Sequence, residues 1–228
     1  MIRNRVTIFA ATGGIGRHLF EQALAAGHEV TAVVRTPANL PSHDGNVHTV
    51  AADLADPDRD VLAAAVDGAD AVLSGLGPRN PKTDAGVTSR GTRAIVEAMQ
   101  SVGTRRLIVV SAAPIGTVPS PGRPHPPKHD PGDGFFMRHL GVRFAQSMFR
   151  AHYEDLALME DVVRDSGLDW TISRPPKLTD KPLTGVYRTA YGQNIRGGFS
   201  VSRADVAHHM LSMIDQPETI KQVVGIAN

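Results

Sequence analysis

The stretch VTIFAATGGIG, residues 6–16, decides the fold of this chain. Residues 6–10 form a short β-branched and apolar run, which is typical of a strand buried on both faces. Apolar residues recur at helical spacing over 15–26, and Gly27 follows as the residue predicted to end that helix. Residues 30–34 form a second buried strand. Strand, helix and strand within about 30 residues define one βαβ unit.

The same alternation continues along the chain. Further strands are predicted at residues 47–50, 71–73, 106–110 and 170–172, and helices at 56–66, 87–101 and 144–166. Asp56 and Pro57 are predicted to cap the first of these helices, and Ser202 with Asp205 to cap a last helix that ends at 213 or 214. Alternating strands and helices favour a Rossmann-like, doubly wound α/β fold, a mainly parallel sheet with helices on both faces. We expect residues 1–228 to form one domain.

The composition excludes several classes of protein. Hydrophobic residues make up 41% and charged residues 21% of the 228 residues, as in ordinary globular chains. There is no cysteine, so disulfide bonds and thiolate chemistry are excluded. The net charge of +1 predicts no strong field for nucleic acid, and the apolar stretches are too short for a transmembrane helix. We expect a cytoplasmic protein, monomeric or weakly dimeric, that acts on a small molecule.

The glycines of residues 11–16 lie between a predicted strand and a predicted helix. At this place Gly13 lets the backbone approach a diphosphate, and Gly16 lets the helix pack closely on the sheet. The start of the helix supplies free N–H groups and partial positive charge. Ala10 replaces the first glycine of the usual fingerprint, which puts the tightness of the turn in question. The motif predicts a dinucleotide site, with a ligand-free glycine turn as the alternative.

Arg35 ends the second predicted strand, 19 positions after Gly16. An acidic residue there would hydrogen-bond the adenosine ribose and repel a 2′-phosphate. An arginine can instead donate two parallel hydrogen bonds to that phosphate. We therefore predict NADP(H) rather than NAD(H), with a surface arginine as the alternative. Asp53-Leu54 is expected to flank the adenine, and Gly75-Leu76-Gly77 to let the backbone approach the cofactor.

The tyrosines do not fit the proton shuttle of ordinary short-chain dehydrogenases. That chemistry uses Tyr-x-x-x-Lys, in which the lysine lowers the pKa of the tyrosine. Tyr153 lies on the long predicted helix, but Ala157 stands four residues later, so Tyr153 is predicted to be structural. An oxidised flavin or a quinone fits better as acceptor, because it spreads the added charge over its own rings and needs little proton donation.

Other ionisable residues receive no chemical role. The histidine pair 125/129 lies in Pro-rich sequence and the pair 208/209 points to different faces of a helix, so no metal site is predicted. Glu154-Asp155 and Glu160-Asp161 are predicted to form the solvated face of the long helix.

Two segments interrupt the alternation. Residues 117–134 hold a dense run of proline and glycine, which cannot form a helix or a central strand. The run follows the fifth strand, where α/β folds place substrate loops, so it is either a substrate lid or a mobile surface loop. Residues 175–200 are polar and glycine-rich with short β-like pieces, and we expect a small substrate-side region there.

Several short pieces of the sequence together carry a resemblance to a known family. They are Ile8-Phe9, Ala11-Thr12-Gly13, Val33-Val34-Arg35, Gly77-Pro78-Arg79-Asn80, Ser111-Ala112, Ser166-Gly167-Leu168, Pro175-Pro176 and DKPLTGVY at residues 180–187. With these pieces the chain resembles, over about residues 6–213, the atypical short-chain dehydrogenase/reductases with an NAD(P)H-binding domain, and their biliverdin reductase and flavin reductase branch. The phosphate loop is shared widely, whereas nothing in dinucleotide binding requires DKPLTGVY.

This resemblance implies a Rossmann-like sheet with NADPH as hydride donor. The residues predicted to bind the cofactor are Thr12, Gly13, Gly14, Ile15, Gly16, Arg35, Asp53, Leu54, Gly75, Leu76, Gly77, Arg79, Ser111 and Pro175. The resemblance places an active-site serine at Ser111, and it puts Lys177 where that branch carries a histidine. Ser111 and Lys177 are therefore the predicted catalytic residues, Ser111 as a hydrogen-bond donor and Lys177 as a positive charge near the developing anion.

Two functions are consistent with these features. The first is an NADPH-dependent oxidoreductase that transfers hydride to a flavin, a quinone or a similar conjugated acceptor. The second is a non-catalytic NADP(H) sensor, as in NmrA-like relatives, and the missing Tyr-x-x-x-Lys suits both. A sugar-nucleotide epimerase is disfavoured, because such enzymes need the tyrosine–lysine pair and a larger C-terminal substrate domain.

Overall fold

The β-branched runs become the central strands of a large sheet. The computed structural model describes residues 3–43, 47–78, 84, 86–132 and 150–228. Its strands are β1 Arg5–Phe9, β2 Glu29–Val34, β3 Val47–Ala51, β4 Ala71–Ser74, β5 Arg106–Val110, β6 Asp169–Arg174, β7 Lys177–Thr179, β8 Arg188–Tyr191, β9 Ser200–Ser202 and β10 Gln222–Ala227. Its described α-helices are α1 Gly14–Ala25, α2 Arg59–Val66, α3 Val87–Val102, α4 Arg150–Asp165 and α5 Arg203–Ser212.

The sheet has the strand order of a doubly wound fold. Eight strands are hydrogen-bonded in the order β3-β2-β1-β4-β5-β6-β10-β8, while β7 and β9 form a separate pair. Every neighbouring pair in the large sheet is parallel except β10 with β8. The predicted Rossmann-like fold is thus confirmed.

The strand order reverses direction beside β1. The chain proceeds from β1 outward to β2 and β3, and then returns to place β4 on the other side of β1. Open α/β sheets bind ligands at such a switch point, in the crevice beyond the carboxyl ends of the strands. The glycine-rich turn that follows β1 lies at this crevice.

Successive residues of β1 show how the sheet is covered on both faces. Ile8 belongs to the hydrophobic layer beneath α1 and α5, together with Leu19 and Met210. Phe9 points the other way, into the layer beneath α2, α3 and α4, together with Met159. All five side chains are fully buried. Helices on both faces explain why β1 is buried along nearly its whole length rather than at alternate residues.

The structure corrects one helix boundary and adds one strand. Helix α2 is capped by Asp58, whose carboxylate accepts from the backbone N–H of Asp60 and of Val61, so the predicted start at Asp56-Pro57 was two residues early. Strand β10 follows the last helix and was not predicted. The long helix is described from Arg150 onward, and its predicted beginning at 144–149 lies outside the described residues.

Candidate functional site

The turn between β1 and α1 is closed although glycine is missing from its first position. Ala10 adopts a φ of 57°, a left-handed conformation that costs a non-glycine residue about 1–2 kcal/mol. The backbone N–H of Gly13 donates to the carbonyl of Ala10 at 2.7 Å. Alanine at position 10 therefore leaves the turn tight, at the expense of local strain.

Gly16 and Gly75 bring the turn, the helix and β4 into close contact. A Cβ atom on Gly16 would overlap the carbonyl of Ala10, and one on Gly75 would lie 2.9 Å from the backbone nitrogen of Gly16. Real Cβ atoms do not approach so closely, so both positions require glycine for packing alone. This is the packing role that the sequence predicted for Gly16.

A cleft opens at the switch point, beyond the ends of β1, β2 and β4. Its volume is about 330 Å³. Nine of the residues predicted to bind the cofactor line it: Thr12, Gly13, Gly14, Arg35, Asp53, Leu54, Gly75, Leu76 and Gly77. Four others do not: Ile15, Gly16, Ser111 and Pro175. Arg79 lies outside the described residues.

The charges of the cleft suit a phosphorylated dinucleotide. Helix α1 begins after Gly13 with no side-chain cap from the described residues, so its first N–H groups face the cleft with the positive end of the helix dipole. Arg35 stands exposed at the end of β2, and the cleft also receives Arg90 and Arg203. Free N–H groups and guanidinium groups are ligands for phosphate, so the residues present fit a dinucleotide.

Arg90 and Arg203 line the cleft although neither was predicted from the sequence. Arg90 comes from the first turn of α3, and Arg203 is the first residue of α5. The only local signal was the N-cap at Ser202, whose hydroxyl accepts from the N–H of Asp205 as predicted. That signal locates the helix along the chain, but only the packing of α5 beside α1 brings Arg203 to the cleft.

Ser111 lies immediately after β5, in a buried network outside the cleft lining. Its Oγ donates to Oε1 of Glu160 at 2.7 Å. Glu160 also forms a two-point ion pair with Arg174 at the end of β6, and Arg164 donates to Oε2 of Glu160 at 3.0 Å. The side chain of Glu160 is 2% exposed and that of Arg174 is 5% exposed. A single carboxylate thus joins α4 to the ends of two central strands.

Glu160 is ionised in this network. Burial raises the pKa of its carboxyl group, but the charge and hydrogen bonds of Arg174, with smaller contributions from Ser111 and Arg164, offset this and hold the pKa below its usual range. Because the carboxylate is an acceptor only, it holds the hydroxyl proton of Ser111. The Ser111 oxygen can then still accept a hydrogen bond through its lone pairs. To donate to a substrate, the Ser111 hydroxyl must first break its hydrogen bond to Glu160.

The expectation for the acidic pairs on α4 was wrong in two of four positions. Glu160 and Asp155 are buried rather than solvated. The carboxylate of Asp155 accepts from the backbone N–H groups of Thr88 and Ser89, at 3.0 and 3.1 Å. Asp155 therefore caps the start of α3 from a neighbouring helix, where Gly86 offers no side chain. The capping carboxylate and the ion-paired carboxylate therefore lie on the buried side of α4, among apolar residues such as Leu156 and Met159.

The other residues considered for chemistry lie apart from the cleft. Lys177 is the exposed first residue of β7. Pro175 is buried and its carbonyl accepts from the N–H of Ala113 at 2.9 Å. Tyr153 packs against the core beneath α4, and burial raises its pKa. Among the described residues, no three His, Asp or Glu side chains gather in a group that could hold a metal ion.

The motif DKPLTGVY is held by the last helix. The carboxylate of Asp205 accepts from the backbone N–H groups of Thr184 and Gly185, both at 2.9 Å, and from the Thr184 hydroxyl. It also accepts from the Ser202 hydroxyl at 2.8 Å. The side chain of α5 thus fixes the turn at Thr184-Gly185, which gives this motif a structural reason independent of dinucleotide binding.

Asp205→Asn should lower the free energy of unfolding at pH 7 by about 2 kcal/mol, the scale of buried hydrogen bonds to a charge. Burial raises the pKa of Asp205, but hydrogen bonds from Thr184, Ser202 and Gly185 lower it below its usual value. A lowered folded-state pKa gives stability that is complete above the unfolded pKa of about 3.9 and is lost as the pH falls through the folded value. Denaturant unfolding of both proteins should show the gap at pH 7 shrinking toward pH 3.

The exposed Asp165 on α4 provides the control, because Asp165→Asn should change stability little at either pH. An Asp205→Asn protein as stable as the parent at pH 7, or a gap that grows on acidification, would contradict the assignment.

The described part of the Pro-rich segment is tied to the rest of the fold. The carboxylate of Asp161 accepts from the Ser120 hydroxyl and from the N–H of Gly122, both at 2.9 Å. Asp130 is buried and accepts from the N–H of Asn194 at 2.8 Å. The segment up to residue 132 is therefore anchored to α4 and to the loop before β9. Residues 133 and 134 lie outside the described residues.

The fold and the cleft define a dinucleotide-binding protein of Rossmann type. Comparison with known families agrees: the family model described as NAD(P)H-binding matches residues 10–217. The chain belongs to this NAD(P)H-binding family, and the predicted resemblance is confirmed at that level. No helix in the described residues combines the length and apolar character needed to span a bilayer.

Individual relatives extend the comparison over nearly the whole chain. The UPF0659 protein C216.03 of Schizosaccharomyces pombe is 30% identical, with 98% of this chain and 90% of that protein covered. The structure of ChuY, an anaerobilin reductase of Escherichia coli O157:H7, is 25% identical with a TM-score of 0.72, covering 98% and 96%. A Veillonella parvula short-chain dehydrogenase/reductase in complex with NADP shares the fold, with 18% identity, a TM-score of 0.78 and coverage of 100% and 95%.

Proposed function

We propose that this protein is an NADPH-dependent oxidoreductase that reduces a flavin, a quinone or a similarly conjugated acceptor. The observation that carries the proposal is the pairing of an uncapped α1 start with the exposed guanidinium of Arg35 in one cleft. The two groups match a diphosphate and a 2′-phosphate. Membership of the NAD(P)H-binding family and a reductase among the structural neighbours support the same class of reaction.

The chain's own groups would act mainly by binding and positioning. The first turn of α1 would bind the diphosphate, Arg35 the 2′-phosphate, and Asp53-Leu54 with Leu76 the adenine end. NADPH, when bound, supplies the hydride. The acceptor gains that hydride and a proton from solvent, so it is reduced by two electrons as NADPH is oxidised to NADP⁺. An extended ring system takes up the charge itself, which is consistent with the absence of a Tyr-x-x-x-Lys pair at Tyr153.

Ser111 and Lys177 are proposed to assist the acceptor. With its proton held by Glu160, the Ser111 oxygen would accept a hydrogen bond from an N–H group of the acceptor or of the nicotinamide amide. Lys177 would supply positive charge toward the reduced, anionic acceptor from the start of β7. These roles favour acceptors that carry N–H groups and become anionic on reduction, as flavins do.

The function is tested by following NADPH absorbance with FMN and with a panel of quinones. We expect consumption that scales with protein concentration and exceeds the rate with heat-inactivated protein. NADH should be a poorer donor. No consumption over the whole panel, despite tight NADPH binding, would favour a non-catalytic NADP(H) sensor, the second candidate. One observation favours that candidate: the Ser111 hydroxyl donates its hydrogen bond to Glu160 rather than toward a substrate.

A further inference from the structure

Arg203 reaches from one helix to the start of another. As first residue of α5 it lies beside α1, and its side chain packs over Gly14. A Cβ atom on Gly14 would lie 2.8 Å from Nε and 3.0 Å from Cδ of Arg203. Glycine at position 14 therefore leaves the room that this arginine occupies. Arg203 lines the same cleft as Thr12 and Gly13.

An ion pair with Asp180 orients the guanidinium of Arg203 and occupies only one of its N–H groups. The NH1 group of Arg203 donates to Oδ1 of Asp180 at 2.6 Å, while its Nε edge faces Gly14. The side chain of Asp180 is 88% exposed and that of Arg203 is 29% exposed. Ion pairs with such exposure contribute only about 0–1 kcal/mol, so the pair leaves the arginine available to a more highly charged partner.

Among the described residues, Arg203 is the cation whose side chain packs against the first residue of α1. The N–H groups of α1 offer partial charge only, whereas a diphosphate carries two negative charges. Arg17, on the first turn of α1, is paired with Glu21 at 2.8 Å and does not line the cleft. Arg35 lies at the end of β2, in the position assigned to the 2′-phosphate. Arg90 lines the cleft from the first turn of α3, so Arg203 is the arginine that the described residues place directly against the start of α1.

We propose that Arg203 is a cofactor-binding residue that contacts the diphosphate of the dinucleotide beside the first N–H groups of α1. The proposal rests on the cleft being the cofactor site, as proposed above, but not on any acceptor or on turnover. Asp180 acts as a positioning residue that holds the Nε edge toward Gly14. The first N–H groups of α1 and the guanidinium on α5 then bind the diphosphate together.

Calorimetric titration of Arg203→Gln with three ligands separates the diphosphate from the 2′-phosphate. NADPH and NADH both carry the diphosphate, so each should bind about tenfold more weakly than to the parent protein. Adenosine 2′-monophosphate lacks the diphosphate and should bind unchanged. Arg203→Lys keeps the charge and should recover part of the loss. Arg17→Gln, a matched loss of charge on α1, should leave all three affinities unchanged, and thermal unfolding should show that each variant is folded.

Three results would overturn the proposal. They are unchanged NADPH and NADH affinities in Arg203→Gln, an equal loss for adenosine 2′-monophosphate, and an equal effect of Arg17→Gln. Failure of the parent protein to bind any of the three ligands would overturn the proposed cofactor site as well. A protein that shows the expected affinities but reduces no acceptor would retain Arg203 as a diphosphate ligand and lose only the proposed enzymatic activity.

Discussion

Replacing Glu160 with alanine should lower the free energy of unfolding by about 3–5 kcal/mol, because it leaves a buried charge without its partner. Arg174 would keep its guanidinium in a site that is 5% exposed, and Ser111 would lose the acceptor of its proton. In a chain of this size the loss corresponds to a fall in Tm of about 10 °C. Thermal and denaturant unfolding at neutral pH measure the change.

Glu154 on the same helix provides the matched control. Its side chain is 51% exposed and pairs with Arg150, which is 80% exposed, so Glu154→Ala should change stability by less than about 0.5 kcal/mol. If Glu160→Ala unfolds like the control, the network around Arg174 contributes nothing to stability, and its proposed role in holding Ser111 loses its physical basis.

Arg35→Ala should weaken NADPH binding by about 30- to 100-fold and leave NADH binding nearly unchanged. The removed group is the guanidinium that we propose binds the 2′-phosphate, and charge-assisted hydrogen bonds of this kind contribute about 1.5–3 kcal/mol. The binding of adenosine 2′-monophosphate should fall by a similar factor. This pattern is the opposite of that expected for Arg203→Gln, which should affect both dinucleotides alike.

Arg59 serves as the control for Arg35. It carries the same charge on α2, is 84% exposed and pairs with Glu97, so Arg59→Ala should bind both dinucleotides as the parent does. Equal weakening of NADPH and NADH by Arg35→Ala would show that Arg35 does not read the 2′-phosphate, and the preference for NADP(H) would have to be abandoned.

Local sequence patterns predicted most of the sheet, because its central strands are short apolar runs separated by helices with clear ends. The helix predicted over 15–26 ends at Ala25 with Gly27 at a φ of 81°, as the glycine indicated. Strand β10 has the same β-branched character in Val223-Val224, but this short run does not reveal which strands it pairs with. Its place between β6 and β8 depends on pairing across distant sequence.

The sequence predicted the parts of the candidate site that neighbouring residues form. It did not predict the parts that form where elements distant in sequence pack together. Gly13 and Arg35 stand at the ends of predicted strands, so their convergence follows from a parallel sheet. Glu160 looked like a surface carboxylate because it directly precedes Asp161 on a helix that also carries Glu154-Asp155. Nothing near it in sequence reveals that Arg174, fourteen residues later, and Ser111, forty-nine residues earlier, meet it in the interior.

The first turn of α5 carries two side chains that contact different parts of the molecule. Asp205 holds the turn at Thr184-Gly185, and Arg203, two residues before it, lies over the start of α1. One turn of helix therefore joins the Thr184-Gly185 turn to the start of α1. If the proposed acceptor binds at that turn and raises the affinity for the nucleotide, thermodynamic linkage requires the nucleotide to raise the affinity for the acceptor by the same factor.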